Sequence, residues 1–219
     1  QLAEAIAKYT ADYPENEIAV NFFFKTKDAQ PLVEKGQIMA KQQFIVKEYP
    51  FPALTAQTAE VDKEETVSYI ALTAGGTTMT VGKWTGWIDY LDVNGEPMLL
   101  DRRSITPEFW RAPTDNDYGG GAGVINRVQE WRNPKFALKS IAMEHGQNYA
   151  CVTAKMDVVR MDASLTLTYT LYADGNLTVK EHLDVNEEAK RKPMPTRFGM
   201  QWVMPKEYDM VNYYGRGPI

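Results

Sequence analysis

The chain has 219 residues, 44% hydrophobic and 24% charged, with a net charge of −5 and a pI near 5.2. These values suit one large or two modest globular domains and exclude a nucleic-acid binder, which needs a basic face to meet phosphates. No apolar run is long enough for a membrane-spanning helix, and the single cysteine, Cys151, excludes an intrachain disulfide or a thiolate metal cluster.

Strand signals come first in chain order. Ile18 to Lys25 and Gly36 to Val46 are rich in β-branched and aromatic residues. Tyr49-Pro50-Phe51-Pro52-Ala53-Leu54 then reads as a linker, because its prolines disfavour ladder pairing. The segment before it is too short for a complete sandwich. The expected organisation is therefore the tail of a β-sandwich over residues 1–50, a linker over 51–64, and an all-β domain over 65–219. Asn94-Gly95 predicts a hairpin between Trp87–Leu91 and Met98–Leu100.

Val124 to Trp131 is the one segment read as helix, with Val124, Val128 and Trp131 at helical spacing and Asn133-Pro134 as a stop. Cys151 lies in an alternating, strand-like context and is expected to be a buried packing residue. Leu165, Leu167, Tyr169 and Leu171 alternate with threonines, so one face of that strand should be buried and the other should carry hydroxyls. Asp174-Gly175 turns the chain into a partner over Asn176–Leu183. Phe198 to Trp202 reads as a core strand. Together these elements predict an antiparallel β-sandwich.

The densest chemistry lies in Phe109-Trp110-Arg111-Ala112-Pro113-Thr114-Asp115-Asn116-Asp117-Tyr118-Gly119-Gly120-Gly121. Two aromatics lead into a cation and a rigid proline, two carboxylates flank an amide, and three glycines follow. That composition suits a rim gripping a polar ligand while part of the loop moves. The candidate site residues are Trp110, Arg111, Asp115, Asn116, Asp117, Gly119, Gly120 and Gly121. For Asp115 and Asp117 a catalytic pair lacks a neighbouring base, and a calcium loop lacks its closing Glu. Asp115 and Asn116 are expected to cap their own backbone. Arg111 is expected to make a bidentate ion pair with Asp115 or Asp117, with direct ligand contact by Arg111 or Asp117 the competing reading. For the glycines, a hinge and a passive turn remain equal alternatives.

The other candidates are weaker. Trp84, Trp87, Trp131 and Trp202 read as core, and Lys190-Arg191-Lys192 as a solvated loop. Neither His145 nor His182 has a second histidine or cysteine at ligand spacing, so no transition-metal site is expected.

Three segments carry a resemblance. The Phe109–Gly119 run resembles a signature in the C-terminal region of the β-galactosidases of glycoside hydrolase family 2. Asn212-Tyr213-Tyr214-Gly215-Arg216-Gly217-Pro218 is similar to a second family segment, with Tyr213 where tryptophan is usual. Glu34 to Phe44 resembles the last strands of the immunoglobulin-like domain that precedes the family's final domain. The resemblance implies that residues 65–219 form a galactose-mutarotase-like supersandwich, truncated at its C-terminal side, and that residues 1–50 end an immunoglobulin-like domain. It implies a parent that hydrolyses terminal β-D-galactosides with retention, using two glutamates on an upstream TIM barrel. This chain would supply a pocket wall and a mobile loop, have no catalytic residue and be inactive alone. Cofactors are expected to be none here, with the parent's divalent and monovalent cations on the barrel. The expected partners are a β-galactoside and that barrel, with no nucleic acid and no membrane. A homo-oligomeric parent is compatible with the resemblance, and neither a cytoplasmic nor a periplasmic location is favoured. Starting at Gln1 and stopping at Ile219 just after the Gly-Arg-Gly-Pro motif, the chain reads as a fragment. The alternative is a stand-alone carbohydrate-binding or structural β-sandwich, and an aldose epimerase is a third reading without a matching histidine pattern.

Overall fold

A computed structural model describes residues 1–50, 59–119, 129–186, 188 and 195–213. The chain divides into two compact units, Gln1–Leu54 and Thr55–Ile219.

The first unit contains a helix α1 (Leu2–Asp12) and an antiparallel pair, β1 (Ile18–Lys25) and β2 (Ile38–Lys47). The helix is a correction, because the sequence reading placed none here. Leu2, Ala3, Ala5, Ile6 and Ala7 are good helix formers, yet no residue of α1 is buried, so propensity carries the segment without an apolar face against a core. The strands match the expected segments. Phe22 and Phe44 meet edge-to-face at 5.8 Å and remain exposed.

The second unit is the expected all-β antiparallel sandwich. One sheet runs β3-β4-β5-β6-β7, with β3 (Asp62–Glu65), β4 (Tyr69–Ala74), β5 (Thr77–Gly82), β6 (Ile88–Val93) and β7 (Glu96–Pro97). The other runs β12-β11-β10-β9, with β9 (Lys135–His145), β10 (Tyr149–Val159), β11 (Ala163–Tyr172) and β12 (Leu177–Val185). Between β7 and β9 lie β8 (Thr106–Pro107) and a short helix, α2 (Asp115–Gly119), and β8 pairs with β13 (Met200–Gln201).

The period of two decides the packing. Leu165, Leu167, Tyr169 and Leu171 of β11 are fully buried while the intervening threonines reach the other face. From the opposite sheet, Ile70, Leu72, Met79, Val81 and Ile88 complete one core cluster. Each such aliphatic side chain contributes about 1.5–3 kcal/mol on burial. The Tyr169 hydroxyl donates to the Gly86 carbonyl at 2.9 Å, so the one polar group at the centre of β11 is satisfied across the sandwich.

Both expected turns form, although the strand that returns after Asn94-Gly95 is Glu96–Pro97 and not the expected Met98–Leu100, where Leu100 already enters a 3-10 turn. Asn94 and Gly95 have φ of 56° and 86°, as a two-residue turn requires, and Gly175 has φ of 87° between β11 and β12. A further device joins the sheets. The β4–β5 turn at Gly75-Gly76 meets the β11–β12 turn so closely that a Cβ on Gly75 would overlap the Asp174 carbonyl carbon, and one on Gly175 would lie 2.5 Å from the Gly75 oxygen. Thr77 Oγ1 donates to the Gly175 carbonyl at 2.9 Å beside this contact.

Four further readings change. The residues counted as the end of the linker, Asp62 to Glu64, belong to β3, and Val61 is buried. Cys151 sits half-buried on the outer face of β10, because Ala150, Val152 and Ala154 take the core positions. Phe198 and Trp202 are exposed rather than core, since only Met200 and Gln201 pair as strand there. Trp84 is also exposed, whereas Trp131 is fully buried. The expected helix over 124–131 lies mostly outside the described residues, as do Lys190-Arg191-Lys192 and Tyr214 to Pro218.

Candidate functional site

Phe109 anchors the glycine-rich segment to the sandwich. It is buried, meets Trp131 edge-to-face at 5.3 Å and stacks on Phe198 at 5.8 Å. Its carbonyl accepts the Arg197 backbone N–H at 3.2 Å, while the Arg111 N–H donates to Thr196 Oγ1 at 3.2 Å. Glu108 N–H donates to the Gly199 carbonyl at 2.7 Å. The segment therefore leaves the core braced against residues 196–201. From Trp110 to Gly119 every residue is half-buried or exposed.

Trp110 stands at the edge of this anchor. Its N–H donates to Glu108 Oε1 at 3.0 Å, and the Arg132 guanidinium lies 4.8 Å from its ring centre, a cation–π contact. The indole Nε1 is buried and has no acceptor.

Beyond Trp110 the chain closes on Asp117. Arg111 Nη1 donates to Asp117 Oδ2 at 2.7 Å and Nη2 to Oδ1 at 3.3 Å. The Thr114 N–H reaches Asp117 Oδ2 at 2.6 Å, and its hydroxyl the same oxygen at 3.1 Å. Arg111 Nη1 also donates to the Ala112 carbonyl at 3.0 Å, and Asp117 N–H returns to the Thr114 carbonyl at 2.9 Å. Four donors thus converge on one carboxylate that is 18% exposed. The Arg111 hydrogen bond, and then that of the Thr114 N–H, hold the Asp117 carboxyl well below the usual carboxylate range. The same pairing raises Arg111. Asp117 stays ionised at neutral pH, which rules out a proton-donating role for it and fits a fixed negative charge.

The structure brings Arg111 and Asp117 together, sets Trp110 against Glu108 and Arg132 instead, and leaves Asp115 and Asn116 exposed on α2. Among the described residues the side chains of those two make no hydrogen bond, so the expected backbone cap comes instead from Asp117. Gly119 ends α2 and is exposed, while Gly120 and Gly121 lie outside the described residues. The sequence reading missed Glu108, Thr114, Thr196 and Arg132. Thr114 was legible as the residue three before an Asp in a Pro-Thr-Asp-Asn-Asp turn. Thr196 and Arg132 were not, because they come from separate segments through tertiary packing. Among the described residues no group of three or more histidine, cysteine, aspartate or glutamate side chains could hold a metal ion, and no helix is long and apolar enough to cross a membrane.

A family model described as "Beta galactosidase small chain" matches residues 73–219. Similar curated proteins include a "Beta-galactosidase" of Lactobacillus delbrueckii subsp. bulgaricus, 30% identical over 195 residues, covering 88% of this chain and 18% of the relative. One from Priestia megaterium (strain DSM 319 / IMG 1521) is 26% identical over 186 residues, 84% of this chain and 17% of the relative. One from Psychromonas ingrahamii (strain DSM 17664 / CCUG 51855 / 37) is 23% identical over 233 residues, with shares of 94% and 22%. The chain spans about a fifth of the length of these curated relatives.

Proposed function

Since this chain belongs to the β-galactosidase small chain family, we propose that it is the C-terminal portion of a retaining glycoside hydrolase of family 2 that removes terminal non-reducing β-D-galactose from β-D-galactosides. In such a reaction a carboxylate attacks the anomeric carbon while a second carboxyl, about 5–5.5 Å away, gives its proton to the leaving oxygen. Water then cleaves the glycosyl–enzyme bond, and the second group takes up a proton from it. Both Asp117 oxygens are taken up by donors from Arg111 and Thr114, and Asp115 stands apart on α2, so neither is assigned to that pair. The two carboxyl groups belong to an upstream barrel of the longer protein. This chain contributes a wall of the substrate pocket and the loop from Trp110 to Gly121, with galactoside as ligand and the barrel as partner. Unit Gln1–Leu54, with its β1–β2 pair and exposed Phe22 and Phe44, is the end of an immunoglobulin-like sandwich. The sandwich of residues 65–219 is of the galactose-mutarotase-like kind.

One observation carries this reading: the matched region contains a surface turn whose shape is fixed by a bidentate Arg111–Asp117 pair. Such a turn holds a pocket rim at constant geometry, and displacing a positioning group by about 1 Å costs on the order of 100-fold in rate. Asp117→Ala in the full-length protein should lower kcat/KM for a nitrophenyl β-galactoside by roughly 10–100-fold with the melting temperature nearly retained. Unchanged kinetics would remove the turn from the pocket.

A further inference from the structure

The two large sheets of the second unit end on β3, β7, β9 and β12, and the first three are blunted against a further strand. β3 has four residues, all charged, and β7 has two, one of them Pro97. A bulge at Lys139 breaks the register of β9. β12 differs. It runs nine residues without proline or glycine, in unbroken register with β11. Among the described residues no strand pairs with its outer side. Its core-side residues are covered only in part: Leu177, Leu183 and Val185 are half-buried, and Val179 is 40% exposed. At the midpoint Glu181 turns a carboxyl toward the core, where one oxygen is buried without a partner.

We propose that β12 is a docking edge for β12 of a second copy of this chain, paired antiparallel about Glu181. In that register the strand is self-complementary. On the core side Leu177 meets the partner's Val185, and Val179 meets the partner's Leu183. The two Glu181 carboxyls lie opposite, each supplying what the other lacks, because a protonated carboxyl both donates and accepts. On the outer face Thr178 meets the partner's Asp184 and Lys180 the partner's His182, a donor against an acceptor each time. Sliding by two residues puts Lys180 against Lys180, or Glu181 against Leu183, so the register is specified. An inward charge ordinarily guards an edge. Here burial, the sole cause, raises Glu181 to about 7, and below that value the guard is neutral. From β11 it faces Leu167 and the ring of Tyr169, while Lys180 and His182 lie on the other face of the sheet. Above that value two like charges would stand opposed.

Hydrogen exchange of the β12 amides in the full-length protein tests this, read over a range of protein concentrations at pH 6 and pH 8. Protection over Leu177–Val185 should rise with concentration at pH 6 and require roughly tenfold more protein at pH 8, one unit above the Glu181 value. Glu181→Gln, whose amides also pair with each other, should keep the protection and remove the difference between the two pH values. Val179→Lys, at an exposed side chain, should remove the protection at both while β10 exchanges as before, which shows the sandwich intact. Protection complete at every concentration would mean that a strand of the longer protein already fills the edge, and overturns the proposal. Protection absent throughout, or a concentration dependence equal at both pH values, overturns it as well.

Discussion

At Glu181 a carboxyl points to the core side of the edge strand β12, opposite Leu167, with one oxygen buried and unpartnered. Burial pushes this acid up to about 7, from 4.5 when free. The native state therefore holds a proton that the unfolded chain has lost between those values. The resulting stability is complete below pH about 4.5, declines as pH rises to about 7, and is absent above. Glu181→Gln keeps the neutral shape. It should abolish that slope and raise stability above pH 7 by on the order of 1–2 kcal/mol, reduced for partial solvent screening. Urea unfolding across pH 4–8 measures it, and an unaltered slope would show that the carboxyl is solvated. Asp117 has the opposite sign: its four donors favour the charged form, so it gains nothing from burial in neutral form. Two carboxylates of one chain are thus tuned apart by their neighbours, and only the tuning of Asp117 is visible in sequence, because Arg111 is local to it whereas Leu167 is distant from Glu181.

Among the elements, the turns were the most legible. Asn94-Gly95 and Asp174-Gly175 announce positive φ, and alternation in β11 gives the buried face directly. Legibility fails where one residue decides a phase. Cys151 is a packing residue by type, but the small Ala150 and Ala154 occupy the core side of β10 and place it outside. Trp202 follows an apolar run that ends as strand after two residues, so hydrophobicity alone misplaced it. Helix α1 was missed because it buries nothing, leaving no face pattern to detect. The site was readable as a motif, since Arg111 and Asp117 lie six residues apart, while the brace from Thr196 required the fold. The turn-to-turn contact gives a test at this scale. Gly75→Ala must place a side chain at φ of 53° and against the Asp174 backbone, whereas Gly95→Ala meets a similar φ of 86° with open space around it. The second should cost about 1 kcal/mol and the first at least twice that. Equal losses in urea midpoint would mean that the two turns do not bear on each other.

Across the whole molecule, the proposed division of labour puts acid and nucleophile on another part of a longer protein. The purified 219-residue chain should then fold yet release no nitrophenol from a nitrophenyl β-galactoside, and should regain turnover only when joined to the upstream region. Steady turnover by the chain alone would end that division and require a carboxyl pair within these residues.

The meeting of Gly75 with Gly175 also sets an order of events during synthesis. Its two halves are a hundred positions apart, so the earlier five-stranded sheet emerges from the ribosome long before the turn it must dock against. Leu72, Met79, Val81 and Leu91 are left facing water for that interval. Slow translation between them should lengthen the exposure and make nascent chains depend on chaperones, a liability that the finished sandwich no longer displays.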